Sequence, residues 1–202
     1  MKILNLYAGI GGNRKLWGNE HDITAIEYNP KIAAVYKDLY PNDTVIVADA
    51  HQYLKEHYQE FDFIWTSPPC QSHSSFRKNI CVAFRGTKAE YPDLKLYEEI
   101  IFLQNFFKGD YIVENVKPYY EPLIKPTKFL HRHMIWSNLK ITDMDLAPAN
   151  LRKAQIPDLQ EYHQVDLSKY DLKGLDKRQI LRNCVNKDLG RHLFNCYLEK
   201  GI

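Results

Sequence analysis

At 202 residues, with 45% hydrophobic and 26% charged positions and a formal net charge of +2, the chain has the composition of one folded domain. No apolar run approaches membrane-spanning length, and the N-terminus lacks a charged region followed by a long apolar one, so a cytoplasmic protein without a membrane role is expected. The four cysteines (Cys70, Cys81, Cys184, Cys196) are neither dense nor spaced as C-x-x-C pairs, which supports neither a disulfide framework nor a zinc site. His131 and His133 alternate as if on one face of a strand, but two histidines without further nearby ligands do not make a metal centre, and none is expected.

In chain order, Ile3 to Ala8 reads as a strand that runs into Gly9-Ile10-Gly11-Gly12, and a helical stretch to about Glu20 follows. Thr24 to Glu27 is a second strand. Asn29-Pro30 opens a helix through about Leu39, with proline in the first turn where its missing N–H costs little. Thr44 to Ala48 is a third strand ending at Asp49, and a helix runs from about His51 to Tyr58. Phe61 to Trp65 is the fourth strand. Tyr91-Pro92-Asp93 starts a helix that places Leu96, Ile100, Leu103 and Phe107 on one face. Asp110 to Glu114 is a fifth strand, and Met134 to Trp136 with Leu139 to Ile141 form an expected closing pair. The stretch from about Asp143 to Lys177 has weak periodicity and several prolines and takes no assignment. A last helix spans about Asp188 to Leu198, with Leu189, Leu193 and Tyr197 inward.

Strict strand–helix alternation predicts an α/β fold, a doubly wound and mostly parallel sheet covered on both faces. Ligands of such sheets bind beyond the carboxyl ends of the strands. Gly9 to Gly12, Glu27, Asp49, Cys70 and Glu114-Asn115 all fall at those ends. The glycines let backbone approach a ligand closely, Glu27 can accept hydrogen bonds from both hydroxyls of a ribose, and Asp49 can accept from an adenine amino group. Such pockets serve NAD, FAD and S-adenosylmethionine alike, and the spacing does not choose among them.

Cys70 follows Pro68-Pro69 directly after a strand. Each proline fixes its own φ and restricts the residue before it, so the thiol is held in one place. A fixed sulfur at a strand end suits covalent catalysis, since the thiolate is the nucleophile.

Leu6-Tyr7-Ala8-Gly9-Ile10-Gly11-Gly12, Pro68-Pro69-Cys70-Gln71 and Glu114-Asn115-Val116, in that order, resemble the signature motifs of the cytosine-C5 DNA methyltransferases. Glu27-Tyr28, Asp49-Ala50, the Asp93/Leu96 helix start, Arg132-His133-Met134-Ile135-Trp136 and Asn183-Cys184-Val185 extend the match. The resemblance implies a Rossmann-like S-adenosylmethionine-dependent methyltransferase. Leu6, Tyr7, Ala8, Gly9, Gly11, Gly12, Glu27, Tyr28, Asp49, Ala50, Pro69, Leu96 and Asn183 would then bind the cofactor. It implies that Cys70 attacks C6 of a cytosine flipped out of double-stranded DNA, with Glu114 on N3 and the exocyclic amine, and with Gln71, Asn115 and Arg132 completing the catalytic set. Gln71, Ser74 and Arg77 would belong to a loop closing over the flipped base. For an activated nucleophile, a Cys70 pKa below that of a free thiol is the corresponding expectation.

The match departs from the family at three places. Met134 stands where a second arginine is usual, Arg182 replaces the glycine before the asparagine, and residues 137–180 leave room only for a reduced target-recognition region. Residues 181–202 are expected to pack back on the cofactor domain within one methyltransferase domain. Low sequence specificity, or specificity from a partner subunit or homo-oligomer, follows. The basic clusters Lys169, Lys173, Lys177, Arg178, Arg182, Lys187 and Arg191, and Arg77, Lys78, Arg85 and Lys88, suit phosphate contacts or a solvated face. An RNA cytosine methyltransferase and a catalytically silent regulatory subunit of the same fold are the alternative readings; a nicotinamide dehydrogenase gives Cys70 and Glu114 no joint role.

Overall fold

The computed structural model describes residues 1–75, 78, 88, 91–145 and 153–200. Arg77, Cys81 and Arg85, and residues 146–152 of the expected recognition region, lie outside the described residues. Its strands are β1 (Lys2–Leu6), β2 (Asp22–Glu27), β3 (Thr44–Val47), β4 (Phe63–Thr66), β5 (Asp110–Val116), β6 (Lys128–Leu130) and β7 (His133–Ser137). The helices are α1 (Pro30–Leu39), α2 (Ala50–His57), α3 (Lys95–Phe106), α4 (Ile156–His163), α5 (Lys177–Asn183) and α6 (Lys187–Leu198).

The strands form one sheet in the order β3-β2-β1-β4-β5-β7-β6. β3 through β5 run parallel, and β7 is antiparallel to both β5 and β6. The order reverses between β1 and β4, so the crevice of a doubly wound sheet opens there, at the carboxyl ends carrying Gly9 and Pro68-Pro69-Cys70. Every residue of β4 is buried, and β1 is buried from Ile3 onward, as central parallel strands covered on both faces require.

On one face, α2 and α3 pack Leu54, Leu96, Ile100 and Leu103 against Leu4, Ile64 and Val113. On the other, α6 sets Leu189, Leu193 and Phe194 against Ile3, Trp17, Phe63 and Trp65. A third cluster joins Leu159, Leu167, Leu172 and Leu181 to Ile10 and Val35, so residues 153–184 form a helical module packed on α1 and the glycine turn. Polar clamps hold the same contact. Lys31 Nζ donates to the Lys173 carbonyl (2.9 Å), Tyr170 Oη donates to Asp38 (2.6 Å), and Lys15 Nζ donates to the last carbonyls of α4 at His163 (2.6 Å) and Gln164 (2.7 Å). Much of the basic cluster is engaged by the protein itself: Lys177 bonds the Leu167 carbonyl and Arg178 the Ala154 carbonyl within the module, and Lys169 the Asp38 carboxylate on α1.

The structure differs from expectation in three places. The helix expected from Gly12 to Glu20 is a single 3-10 turn over Asn13–Leu16. Gly18, at φ +84°, ends it, and α6 lies against it so closely that a Cβ on Gly190 would stand 2.3 Å from the Asn13 carbonyl oxygen. The partner of β7 is β6, which precedes it, rather than Leu139 to Ile141. Ser137 Oγ accepts the Leu139 N–H (3.0 Å) and donates to the Tyr111 carbonyl, which takes the chain out of the ladder at that point. His131 and His133 do not share a strand face: His131 is exposed in the β6–β7 turn at φ +54°, while His133 is buried.

Arg14 and Asp43 make a buried bidentate pair behind the glycine turn (2.8 and 3.0 Å), and Tyr36 Oη also donates to Asp43. Each charge is satisfied by the other, so loss of either would strand its partner in a dry interior. Because α6 sits directly on the 3-10 turn, Gly190→Ala is expected to destabilise the fold by about 1–3 kcal/mol, the usual range for overpacking, measured by urea unfolding.

Candidate active site

A cavity of about 610 Å³ opens at the carboxyl ends of the strands, a size suited to a nucleoside-containing ligand. One end is built from the glycine turn. Tyr7 and Gly9 both take left-handed backbone conformations (φ +54° and +55°), and a Cβ on Gly9 would meet nothing within 4 Å, so this backbone stands open to the cavity. Glu27 ties the turn to β2, accepting from the Gly9 N–H (3.0 Å) and the Asn29 N–H (2.9 Å) through different oxygens. Burial raises its pKa, and those two N–H groups oppose the shift. Asp49 caps α2, accepting from the Gln52 N–H at 3.0 Å, an interaction that lowers its pKa. Tyr28 is 76% exposed at the mouth, a flat ring against which a base can stack.

Tyr7 is held from behind by a residue the sequence reading missed. Glu99, on the inward face of α3 and 0% exposed, accepts from Tyr7 Oη (2.5 Å) and Thr66 Oγ1 (2.7 Å) and bonds His51 Nδ1 (3.0 Å). That hydrogen bond is the largest cause of a raised His51 pKa, while burial and the Glu99 carboxylate push the Tyr7 hydroxyl far above its ordinary value. The available signal was an acid within the apolar stripe Leu96, Ile100, Leu103.

The other end of the cavity holds the thiol and the second carboxylate. Asn115 Nδ2 donates to the Pro68 carbonyl (2.9 Å), which fastens the double proline to β5. Trp65 Nε1 donates to Ser67 Oγ (2.9 Å), and Ser67 Oγ donates to Glu114 Oε2 (3.0 Å). Glu114 Oε1 shares a 2.6 Å hydrogen bond with His133 Nδ1. Beyond Cys70 the chain makes one turn, with the His73 and Ser74 N–H groups on the Cys70 carbonyl, and docks on Pro118 and Tyr119.

Cys70, Gln71, Glu114, Asn115 and Arg132 all line this cavity. So do Tyr7, Ala8, Gly9, Gly12, Glu27, Tyr28, Asp49, Ala50, Pro69 and Asn183. Leu6 and Leu96 lie in the core beneath it, and Gly11 packs under Tyr36 and Tyr40, where a Cβ would stand 2.3 Å from the Tyr40 ring. Sequence reading offered His133 only as one of two histidines, with His131, that could supply contacts to the base in place of the missing arginine, and did not identify Ser67 or the α5 wall of Asp176, Gln179 and Ile180. Among the described residues, no group of three or more His, Cys, Asp or Glu side chains is placed to hold a metal, and no helix is long and apolar enough to cross a membrane.

The residues present fit S-adenosylmethionine. Glu27 retains lone pairs for a ribose diol after its two backbone bonds, the Asp49 carboxylate lines the cavity as an acceptor for an adenine amine, and Gly9 leaves the space a side chain would fill.

The thiol is not activated in the free protein, contrary to expectation. Burial pushes the Cys70 pKa up to about 11, the Glu114 carboxylate adds to the rise, and Arg132 opposes it. Iodoacetamide alkylation of Cys70, followed by peptide mass spectrometry, is expected to reach its rate midpoint near that value. Glu114→Gln removes the negative charge but not the burial, so its profile is expected to move partway back toward neutral pH; an unmoved profile contradicts the electrostatic account.

A model of the family described as C-5 cytosine-specific DNA methylase matches residues 1–122. No curated protein matches the chain. Among solved structures it is similar to a hypothetical protein of Thermus thermophilus, at 14% identity over 67% of this chain and 73% of that one, with TM-score 0.47. A mutant of Spodoptera frugiperda DNMT2 aligns at 26% identity over 57% of this chain, TM-score 0.40, and the match covers 35% of that longer protein. A SAM-dependent methyltransferase from Agrobacterium tumefaciens aligns at 15% identity over 59% of this chain and 40% of its own, TM-score 0.39. With the family model covering more than half its length, the chain belongs to the C-5 cytosine-specific DNA methylases, whose methyl donor is S-adenosylmethionine.

Proposed function

We propose that this protein methylates C5 of cytosine in double-stranded DNA through a covalent bond between Cys70 and C6 of a flipped-out base. The observation that carries the reading is that Cys70 and Glu114 line one end of a cavity whose other end presents Gly9, Glu27 and Asp49. Bound S-adenosylmethionine supplies an electrophilic methyl group on a sulfonium. The protein's residues do the rest. Pro68 and Pro69, fastened by Asn115, fix the sulfur at one depth. Glu114 pairs with N3 and the exocyclic amine, so that ring charge created by sulfur addition is neutralised by a proton. Arg132, exposed beside the cavity in the β6–β7 turn, attracts the thiolate and can contact the base or its phosphate. A target carbon inside a duplex is out of reach of a recessed thiol, which is the physical case for base flipping.

Reading of the DNA sequence falls to little of this chain. The interval that would hold a recognition region contains the module clamped on α1, and its helix α5 walls the cavity with Gln179 and Ile180. We infer recognition of a very short site, or specificity from a partner subunit or a second copy.

Incubation with cofactor and duplex DNA containing 5-fluorocytosine is expected to leave a stable adduct on Cys70, identified by mass spectrometry. Cys70→Ala is expected to form none and to lose methyl transfer. An adduct on structured RNA but not on DNA would move the substrate to RNA, and methylation by Cys70→Ala at the wild-type rate would remove the covalent mechanism. Bisulfite sequencing of DNA treated with the purified chain is expected to show methylation at very short sites; confinement to one long motif contradicts that expectation.

A further inference from the structure

His133 is a buried side chain lining the cavity beside Glu114, at a position to which the family motif assigns no residue type. β7 pairs antiparallel to β5 with Val116 opposite His133, which brings the imidazole to the Glu114 carboxyl across the ladder. The two share a 2.6 Å hydrogen bond, and the structure exposes only 8% of His133 and 5% of Glu114. The carboxyl's other oxygen receives Ser67 Oγ at 3.0 Å, so His133 and Ser67 grip Glu114 from opposite sides. The arginine usual two places after Arg132 is replaced by Met134, which is buried in the core and offers no hydrogen bond. The position between them therefore supplies the polar partner.

We propose that His133 is a positioning residue that carries Glu114 through its proton cycle, an inference that rests on the methyl-transfer reading above. The Glu114 carboxylate takes up the proton that the Cys70 thiol gives up as its sulfur bonds C6; the C5–C6 π pair moves to C4–C5 and the C4–N3 π pair moves to N3. N3 then takes the Glu114 proton. The carboxylate left behind is buried, and an isolated buried carboxylate is costly; His133 Nδ1–H donates to it at short range and holds the charge in place. The C4–C5 π pair then takes the methyl group of the bound donor and the C4–N3 double bond is restored; a base removes the C5 proton, its bonding pair re-forms C5–C6 as the C6–S pair departs with sulfur, and the N3 proton returns through Glu114 to the thiol, so the pair ends each cycle as it began. The cavity's other ionisable lining groups, among the described residues, include Cys70 after β4, Arg132 in the β6–β7 turn, Asp93 and Lys95 at the start of α3, and Asp176 and Arg182 of the α5 wall. His133 acts on the base only through Glu114.

The test compares His133→Ala and His133→Asn in the full chain, reading the rate of Cys70 adduct formation on 5-fluorocytosine duplex DNA against pH. His133→Ala is expected to slow the adduct by about 100-fold, the low end of what positioned proton transfer contributes. His133→Asn keeps an N–H donor near the Nδ1 position and is expected to restore most of the rate. An Ala variant with wild-type rate and pH profile overturns the inference, and so do Ala and Asn variants that are equally slow, since that pattern reports packing alone. A readout independent of turnover is the 15N signal of His133 Nδ1 in the free protein, which is expected to shift in Glu114→Gln; an unchanged signal overturns the pairing. Wild-type protein that forms no adduct overturns the methyl-transfer reading and this inference together, whereas normal wild-type adduct beside an unimpaired His133→Ala overturns this inference alone.

Discussion

The Glu114 carboxyl is the point through which the site is organised. It sits buried on β5 with one oxygen on Ser67 and the other on His133, and through Ser67 it is joined to the Trp65 indole at the end of β4. Its neighbour Asn115 bonds the Pro68 carbonyl, so two consecutive residues of one strand set the relation between the β4 and β5 ends. Cys70 leaves that junction over two prolines with little freedom of its own. A carboxyl group buried without partners would neutralise or unfold its surroundings; here the Ser67 contact that satisfies one oxygen also ties the carboxyl to the start of the thiol's arm.

The same carboxylate works against the nucleophile until substrate arrives. In the free protein its charge adds to the burial that keeps Cys70 a thiol. On the proposed mechanism, a pyrimidine that shares a proton with Glu114 would cancel that repulsion at the moment attack is required. A resting thiol of high pKa is also poorly reactive toward stray electrophiles, since the thiolate is the reacting form. Suppression at rest and release on binding thus follow from one charge, with Arg132 supplying a constant opposing pull.

The parallel part of the sheet was legible because its strands are short apolar runs that end in residues of strong local preference. Asn29 caps α1 with Pro30 behind it, and Asp49 caps α2, as their types suggest. The antiparallel end was harder to read. Leu139 and Ile141 are as apolar as a strand and are buried, but a serine hydroxyl, not periodicity, decides where β7 stops. Helix α4 escaped notice because its capping box pairs Gln155 with Asp158, residue types that do not mark a helix start. In the site, residues with a chemical signature of their own (Cys70, Glu114, Glu27) were visible. Ser67 and His133 act by bonding Glu114, and Glu99 by bonding Tyr7, across strands and helices, and such pairings exist only once the register is set.

The module of residues 153–184 touches α1 on one side and walls the cavity on the other. Occupancy of that cavity and attachment of the module are therefore thermodynamically linked: a ligand that contacts Gln179 or Ile180 stabilises the docked state by the logarithm of its saturation. A cofactor seated against that wall would serve as mortar as well as reagent, and surface changes on α1 at Lys31 or Asp38 would weaken its hold by loosening the wall rather than the floor.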